Sequence, residues 1–151
     1  MNAYPLSEVV FDDSCFPLIY QVLPARLDVE AADRYCRRFE QFLLRGEPFV
    51  SVADASAVTE RGVPMVRKRL ADWSRTNEPA FVRLSKGDGR IVKNAIIRGT
   101  MTAINWLHRT AVPQEWFTSP EEAIRWAVAR LDESRVHVPP SLRMRALARA
   151  K

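Results

Sequence analysis

The residues best suited to chemistry lie at the end of a predicted strand, PFVSVADAS (Pro48 to Ser56). Asp54 and Ser56 stand where this strand stops, and open α/β sheets bind ligands at the carboxyl ends of their strands. The same two side chains are also common caps of loop backbone N–H groups. Thr59 follows in the next loop, as a contact or modification site or as a solvated loop residue. The pattern leaves both interpretations open.

Motifs for catalysis or metal binding are missing from the sequence. His108 and His137 are the only histidines, and they have no metal-ligand spacing with each other or with Cys15 or Cys36. No G-x-S-x-G sequence is present, and SKGDGR lacks the spacing of a phosphate-binding P-loop. We therefore predict no catalytic residues, no metal and no cofactor, and we expect the chain not to be an enzyme.

The positive charge is concentrated at the C-terminus. The net charge is +5, and residues 133–151 hold five basic side chains against Glu133 alone, which leaves residues 1–132 near neutral. We predict an α/β domain over 1–132 and a basic tail over 133–151, for which disorder is one option.

The chain also lacks signals for export or membrane insertion. No apolar run is long enough to span a membrane, and the N-terminus does not resemble a signal peptide. Two cysteines cannot build a disulfide framework, so buried reduced thiols and a cytoplasmic location are expected.

Hydrophobic periodicity predicts strands that alternate with helices. Asp28 and Gly46 bound the clearest long helix, and Ser119 with Glu122 forms a capping box for the last helix. The pattern predicts a single mixed, largely parallel sheet of about five strands with four helices. The predicted elements are a hairpin of Ser7 to Phe11 and Phe16 to Val22, helix Val29 to Arg45, strand Pro48 to Ser56, a helix from Pro64 to about Arg75 that buries Met65, Val66, Leu70 and Trp73, helix Ile96 to Arg109, strand Glu115 to Phe117 and helix Ser119 to Leu131.

The segment SKGDG, Ser85 to Gly89, has two interpretations. Its Gly-Asp-Gly is a turn signal, which could join two strands of a hairpin. Alternatively, it is a loop between a helix end and a single strand from Arg90 to Ala95. Few apolar residues precede the turn, and this favours the second interpretation.

Two segments, VSVADASAVTERGVPMVRKRLADW and NAIIRGTMTAINWL, carry a resemblance that spans about Ser7 to Leu131. The chain resembles the STAS and SpoIIAA-like proteins, the family of anti-sigma-factor antagonists. The resemblance implies a regulatory domain that binds a protein partner. In those antagonists, a phosphorylatable serine preceded by Asp opens the helix after the third strand. Here Val63 stands at that place, which predicts the loss of the phospho-switch.

We therefore expect a non-catalytic regulatory or scaffold module that binds a protein partner, with formation of a homodimer as a further option. Its predicted binding residues are Asp54, Ser56, Thr59, Arg67, Lys68 and Arg69, of which the basic residues would steer an acidic partner. One alternative is a binder of nucleic acid or anionic membrane that uses only the basic tail. Another is an enzyme that acts on a small ligand at the strand ends.

Overall fold

Five strands form one sheet in the order β1-β2-β3-β4-β5. The computed structural model describes residues 8–59, 63–95, 98–99 and 111–148. Strand β1 pairs antiparallel with β2, and the other three pairs are parallel. The strands are β1 Val10–Asp12, β2 Leu18–Val22, β3 Phe49–Asp54, β4 Ser85–Ile91 and β5 Gln114–Phe117.

Five helices lie within the described part of the chain, and three of them match predicted helices. They are α1 Val29–Arg45, α2 Pro64–Thr76, α3 Glu78–Leu84, α4 Pro120–Glu133 and α5 Pro140–Ala148. The predicted class, an α/β fold with one mixed and mostly parallel sheet, is confirmed. The predicted helix over 96–109 falls almost entirely outside the described residues. No described helix combines the length and the apolar character needed to cross a membrane.

Side-chain caps explain why α1 and α4 begin where the sequence predicts. The Ala31 N–H donates to the Asp28 carboxylate (2.7 Å), and the Glu122 N–H donates to Ser119 Oγ (3.3 Å). Gly46 ends α1 in the left-handed conformation at φ +67°, which a residue with a side chain rarely adopts. Both helices therefore start on local chemistry, and α1 also ends on it.

The two faces of the sheet bury different cores. Helices α4 and α5 cover one face, where Leu18, Val50, Val52 and Ile91 contact α4 residues such as Ile124. The opposite face lies under α1, α2 and α3, and its core is mostly aromatic. That second core contains Ile19, Phe39, Phe42, Leu43, Phe49 and Leu84, with Tyr35, Trp73 and Phe81 packed against it.

The segment Ser85 to Gly89 is a strand, so both of the turn-based predictions for it are wrong. It forms most of β4, which is hydrogen-bonded between β3 and β5 inside the sheet. Its glycines have a packing reason: a Cβ on Gly87 would lie 2.8 Å from the ring of Trp126, and one on Gly89 would lie 3.2 Å from it. Glycine in a strand can signal a close approach as well as a turn.

The predicted tail is part of the core, and the expectation of disorder is wrong for its described residues. Leu142 is fully buried, and Val138 and Ala146 are buried with it against α4 and the sheet. Pro139 and Pro140 do not end the structure, because proline is tolerated in the first turn of a helix and α5 begins at Pro140. The domain therefore extends past residue 132.

Cys15 and Cys36 are both free thiols, and Cys36 is buried in α1. Burial, reinforced by nearby carboxylates, raises the pKa of the Cys36 thiol to about 11. Because the thiolate is the reactive form, its fraction at pH 8 is on the order of one in a thousand. We expect Cys36 in the folded chain to react at least ~100-fold more slowly with a water-soluble disulfide reagent than in the chain unfolded in denaturant. Equal rates would contradict its burial, and the variant Cys15→Ser isolates the reaction of Cys36.

Candidate functional site

A row of polar side chains crosses the sheet beneath α1, α2 and α3. Ser51 of β3 pairs in register with Asp88 of β4, and Asp88 pairs with Gln114 of β5. In the adjacent row, Gln21 of β2 aligns with Ala53, and Ala53 aligns with Arg90. Parallel strands thus bring polar residues from four distant segments onto one face of the sheet.

Asp88 is the centre of this row. Arg90 Nε and a terminal guanidinium nitrogen donate to Asp88 Oδ2 at 3.1 and 2.9 Å. Ser51 Oγ lies 3.5 Å from Asp88 Oδ1, and Gln114 Nε2 lies 3.5 Å from Asp88 Oδ2. Arg90 and Asp88 are each about one-fifth exposed, at 18% and 22% of their side-chain area. The ion pair is therefore largely shielded from water.

A cavity of about 240 Å³ lies between the polar row and the helices. Aromatic side chains from the helices form its wall, with Tyr35 and Phe39 from α1, Trp73 from α2 and Phe81 from α3. These rings contact one another mainly edge to face, with centroids 5.3 to 5.9 Å apart. An apolar pocket with a few convergent polar groups is the usual form of a small-molecule site.

Two residues of the cavity carry polar groups in a dry environment. Burial, reinforced by the Asp88 carboxylate, raises the pKa of Tyr35 far above its usual range, so its hydroxyl stays protonated at neutral pH. Gln21 is only 2% exposed and lines the cavity. An amide buried in this way is a ready hydrogen-bond donor and acceptor.

The predicted residues at the end of β3 mainly hold the backbone. Asp54 accepts a hydrogen bond from the Tyr20 hydroxyl (3.0 Å) and another from the Ser56 N–H (2.9 Å). These are the contacts of a residue that caps a loop. Ser56 and Thr59 are exposed, and the Thr59 N–H donates to the Ala25 carbonyl (3.4 Å). Their role in binding stays a prediction.

The three predicted basic residues lie on α2 and differ in their contacts. Lys68 pairs with Asp72 one turn on (3.1 Å), and Arg69 pairs with Asp33 of α1. Arg67 has no ion pair with any residue that the structure describes. The Arg69 contact ties α2 to α1, whereas Arg67 is available to a partner.

The start of α2 exposes apolar side chains. Met65 was predicted to be buried, and this is wrong: it is 67% exposed, beside Val63 at 53%. Val66 and Ala71 are the buried side chains of α2, and Trp73 packs against the aromatic core, because the helix turns Met65 to the opposite side. We call Val63, Met65 and Lys68 the α2 start surface.

Sequence reasoning missed the polar residues of the cavity. The available signal was Gln21, Ser51 and Asp88 at positions within predicted strands or turns where an apolar residue would fill the core. No cluster of three metal-ligating side chains is present in residues 8–59, 63–95, 98–99 and 111–148. Comparisons with protein-family models, curated proteins and solved structures gave no match for this chain.

Proposed function

We propose that this chain is a non-catalytic regulatory or scaffold module that binds a protein partner through the α2 start surface. The observation that supports this most strongly is the exposure of Val63 and Met65 at the first turn of α2. An exposed apolar side chain such as that of Met65 is typical of an interface anchor, since methionine is enriched at interfaces. The resemblance to STAS and SpoIIAA-like proteins implies the same class of function.

The charge around this surface indicates an acidic partner. The largely exposed Lys68 lies three residues after Met65, on the same side of α2, and the first turn of α2 contains no acidic residue. Positive charge at the edge of an apolar patch accelerates association with a negatively charged protein. We place this encounter in the cytoplasm, where the two free cysteines would stay reduced.

Partner binding in this proposal does not depend on phosphorylation of α2. Val63 occupies the N-cap of α2 and offers no hydroxyl, and no side chain caps the helix there. Thr59 lies outside the first turn, where the helix dipole would give a phosphate little stabilisation. We therefore expect constitutive binding, or binding that is controlled through the partner.

The alternative of a tail that binds nucleic acid or anionic membrane has less support. Arg143 makes two hydrogen bonds to Asp132, and Arg145 lies 3.5 Å from Asp12 and over the ring of Tyr20. Charges that are paired within the fold release fewer counterions from a polyanion. This pairing favours the protein partner over the tail-mediated alternative.

We expect Met65→Glu to abolish partner capture and Leu44→Glu to leave it unchanged. Leu44 lies on α1 and is 85% exposed, so it is a matched apolar control outside the surface. A carboxylate at position 65 would place a charge in the apolar contact and repel an acidic partner, a loss of about 2 kcal/mol or more. The measurement is capture from a lysate of the native host, quantified by mass spectrometry for wild type and both variants.

Specific proteins that are lost with Met65→Glu and kept with Leu44→Glu would support the proposal. Equal recovery with all three baits would contradict it. Recovery of the chain itself as the protein that depends on position 65 would identify a homodimer as the partner.

A further inference from the structure

We propose that the cavity beneath α1, α2 and α3 binds a small, uncharged, planar ring compound that carries both a hydrogen-bond donor and an acceptor. This site is separate from the α2 start surface and does not depend on the proposed function. Four observations carry the inference: the volume of the cavity, its aromatic wall, its internally neutralised ion pair and the side-chain amide of Gln21 in its lining.

The volume limits the size of the ligand. A cavity of about 150 Å³ in another protein holds a benzene molecule. The present cavity of about 240 Å³ is therefore suited to a substituted single ring or a small fused ring. A lipid chain with its headgroup or a dinucleotide would extend well out of this partly open cavity.

The wall favours a flat, apolar body. Phe39, Trp73 and Phe81 line the cavity, and Tyr35 adds a fourth ring. A planar ring can stack on such a cluster or meet it edge to face, whereas a bulky aliphatic group would leave gaps. The Trp73 indole N–H is already satisfied by Glu40 at 2.8 Å, so the tryptophan contributes packing and no free donor.

The charges of the cavity favour a neutral ligand. Arg90 and Asp88 neutralise each other through two hydrogen bonds to one carboxylate oxygen. Glu78 is the third charged residue in the described lining, and its side chain is also not without a partner. An anion would face Asp88 and Glu78, and a cation would have to compete with Arg90. Both would also lose their hydration on entry.

The polar group of the ligand is specified by Gln21. The side chain of Gln21 lines the cavity, and its amide offers an N–H donor and a carbonyl acceptor side by side. A carboxamide or a ring lactam presents the complementary pair and can form two hydrogen bonds to it. The hydroxyl of Ser51, on the neighbouring strand, is also in the lining of the cavity. The ligand class is therefore one of aromatic amides, lactams and similar neutral heterocycles.

The test uses three probes of nearly equal size and different charge: benzamide, benzoate and benzylamine. The full chain, labelled with ¹⁵N, is titrated with each probe, and the shifts of the Trp73 indole and Gln21 side-chain signals are followed. We expect benzamide to bind with a dissociation constant on the order of 1 mM, ordinary for a ligand of this size. Benzoate and benzylamine should bind at least ~10-fold more weakly, because a charge must be desolvated.

Two variants separate the cavity from other binding sites. Gln21→Leu should weaken benzamide binding at least ~5-fold by removal of both hydrogen bonds, whereas Gln41→Leu, on the exposed side of α1, should not. Ala53→Leu should fill the cavity and stop the binding of all three probes. If Ala53→Leu does not fold, the comparison of Gln21→Leu with Gln41→Leu still decides.

Each contrary result overturns a defined part of the proposal. The absence of benzamide binding, or binding that leaves the Trp73 and Gln21 signals unshifted, would exclude the cavity as a ligand site. Benzoate or benzylamine binding as tightly as benzamide would contradict the assignment of a neutral ligand. Unchanged affinity in Gln21→Leu would remove the amide from the recognition of the ligand.

Discussion

Replacement of Leu142 by alanine should lower the free energy of unfolding by about 3 kcal/mol. Leu142 lies in α5, in the segment that composition alone assigns to a tail, yet its side chain is fully buried in the core of α4 and the sheet. Truncation to alanine removes buried methyl groups and leaves a cavity, because α5 is held against α4 by Val138 and Ala146 as well. The melting temperature should fall by roughly 6 to 12 °C for a chain of this size.

The control for this prediction is Met144→Ala on the same helix. Met144 is 69% exposed, so its truncation should change the free energy of unfolding by no more than ~0.5 kcal/mol. The measurement is chemical unfolding of wild type and both variants, followed by circular dichroism. Equal stability of Leu142→Ala and wild type would mean that residues 133–151 are a dispensable tail after all.

Replacement of Asp88 by leucine should cost about 2 to 3 kcal/mol of stability. The substitution leaves the Arg90 guanidinium without its carboxylate in a place where only 18% of the arginine side chain is exposed. Loss of one partner of a fully buried pair costs about 3 to 5 kcal/mol, and partial exposure lowers this because water screens the remaining charge. The residual positive charge at the floor of the cavity is the physical cause of the loss.

A double-mutant cycle distinguishes this cause from a simple packing defect. Asp88→Leu with Arg90→Leu removes both charges of the ion pair, so the double variant should be at least ~1 kcal/mol more stable than the sum of the single losses predicts. The exposed pair of Arg45 and Glu47 (3.0 Å) provides the control, and Glu47→Leu should change stability by less than ~0.5 kcal/mol. Strictly additive losses at positions 88 and 90 would refute the role assigned to the ion pair.

Local chemistry explains which elements the sequence predicts well. Helix α1 has a side-chain cap at Asp28, an apolar stripe and a glycine at its end, and the structure has it over the predicted residues. Strand β5 and the opening hairpin are also confirmed, because aromatic and β-branched residues mark them. The alternation of strands and helices is then sufficient for a mostly parallel sheet.

The elements that were predicted wrongly are decided by contacts between distant residues. Ser85 to Gly89 has the composition of a turn, but Trp126 of α4 packs so closely on the sheet that glycine is needed in the strand. Likewise, α5 has little amphipathic pattern in its sequence, and only its contact with α4 and the sheet holds it. Neither contact can be read from a window of neighbouring residues.

The cavity was missed for a related reason. Gln21, Ser51 and Asp88 are far apart in the sequence, and only the register of β2, β3 and β4 brings them onto one face. By contrast, α2 with its basic residues was predicted correctly, because Pro64 at its start is a local signal. The exposure of Met65 depends on how α2 packs on α1, which periodicity alone did not determine.

The most direct test of the proposed function is site-specific photo-crosslinking at Met65. A photoreactive phenylalanine analogue is placed at position 65 in one variant and at Leu44 in the other, since both side chains are largely exposed. The chain is then irradiated in its native host, and the crosslinked products are identified by mass spectrometry. We predict one dominant, acidic protein crosslinked from position 65 and not from position 44. The same products from both positions, or crosslinks to nucleic acid alone, would contradict a protein-binding role for the α2 start surface.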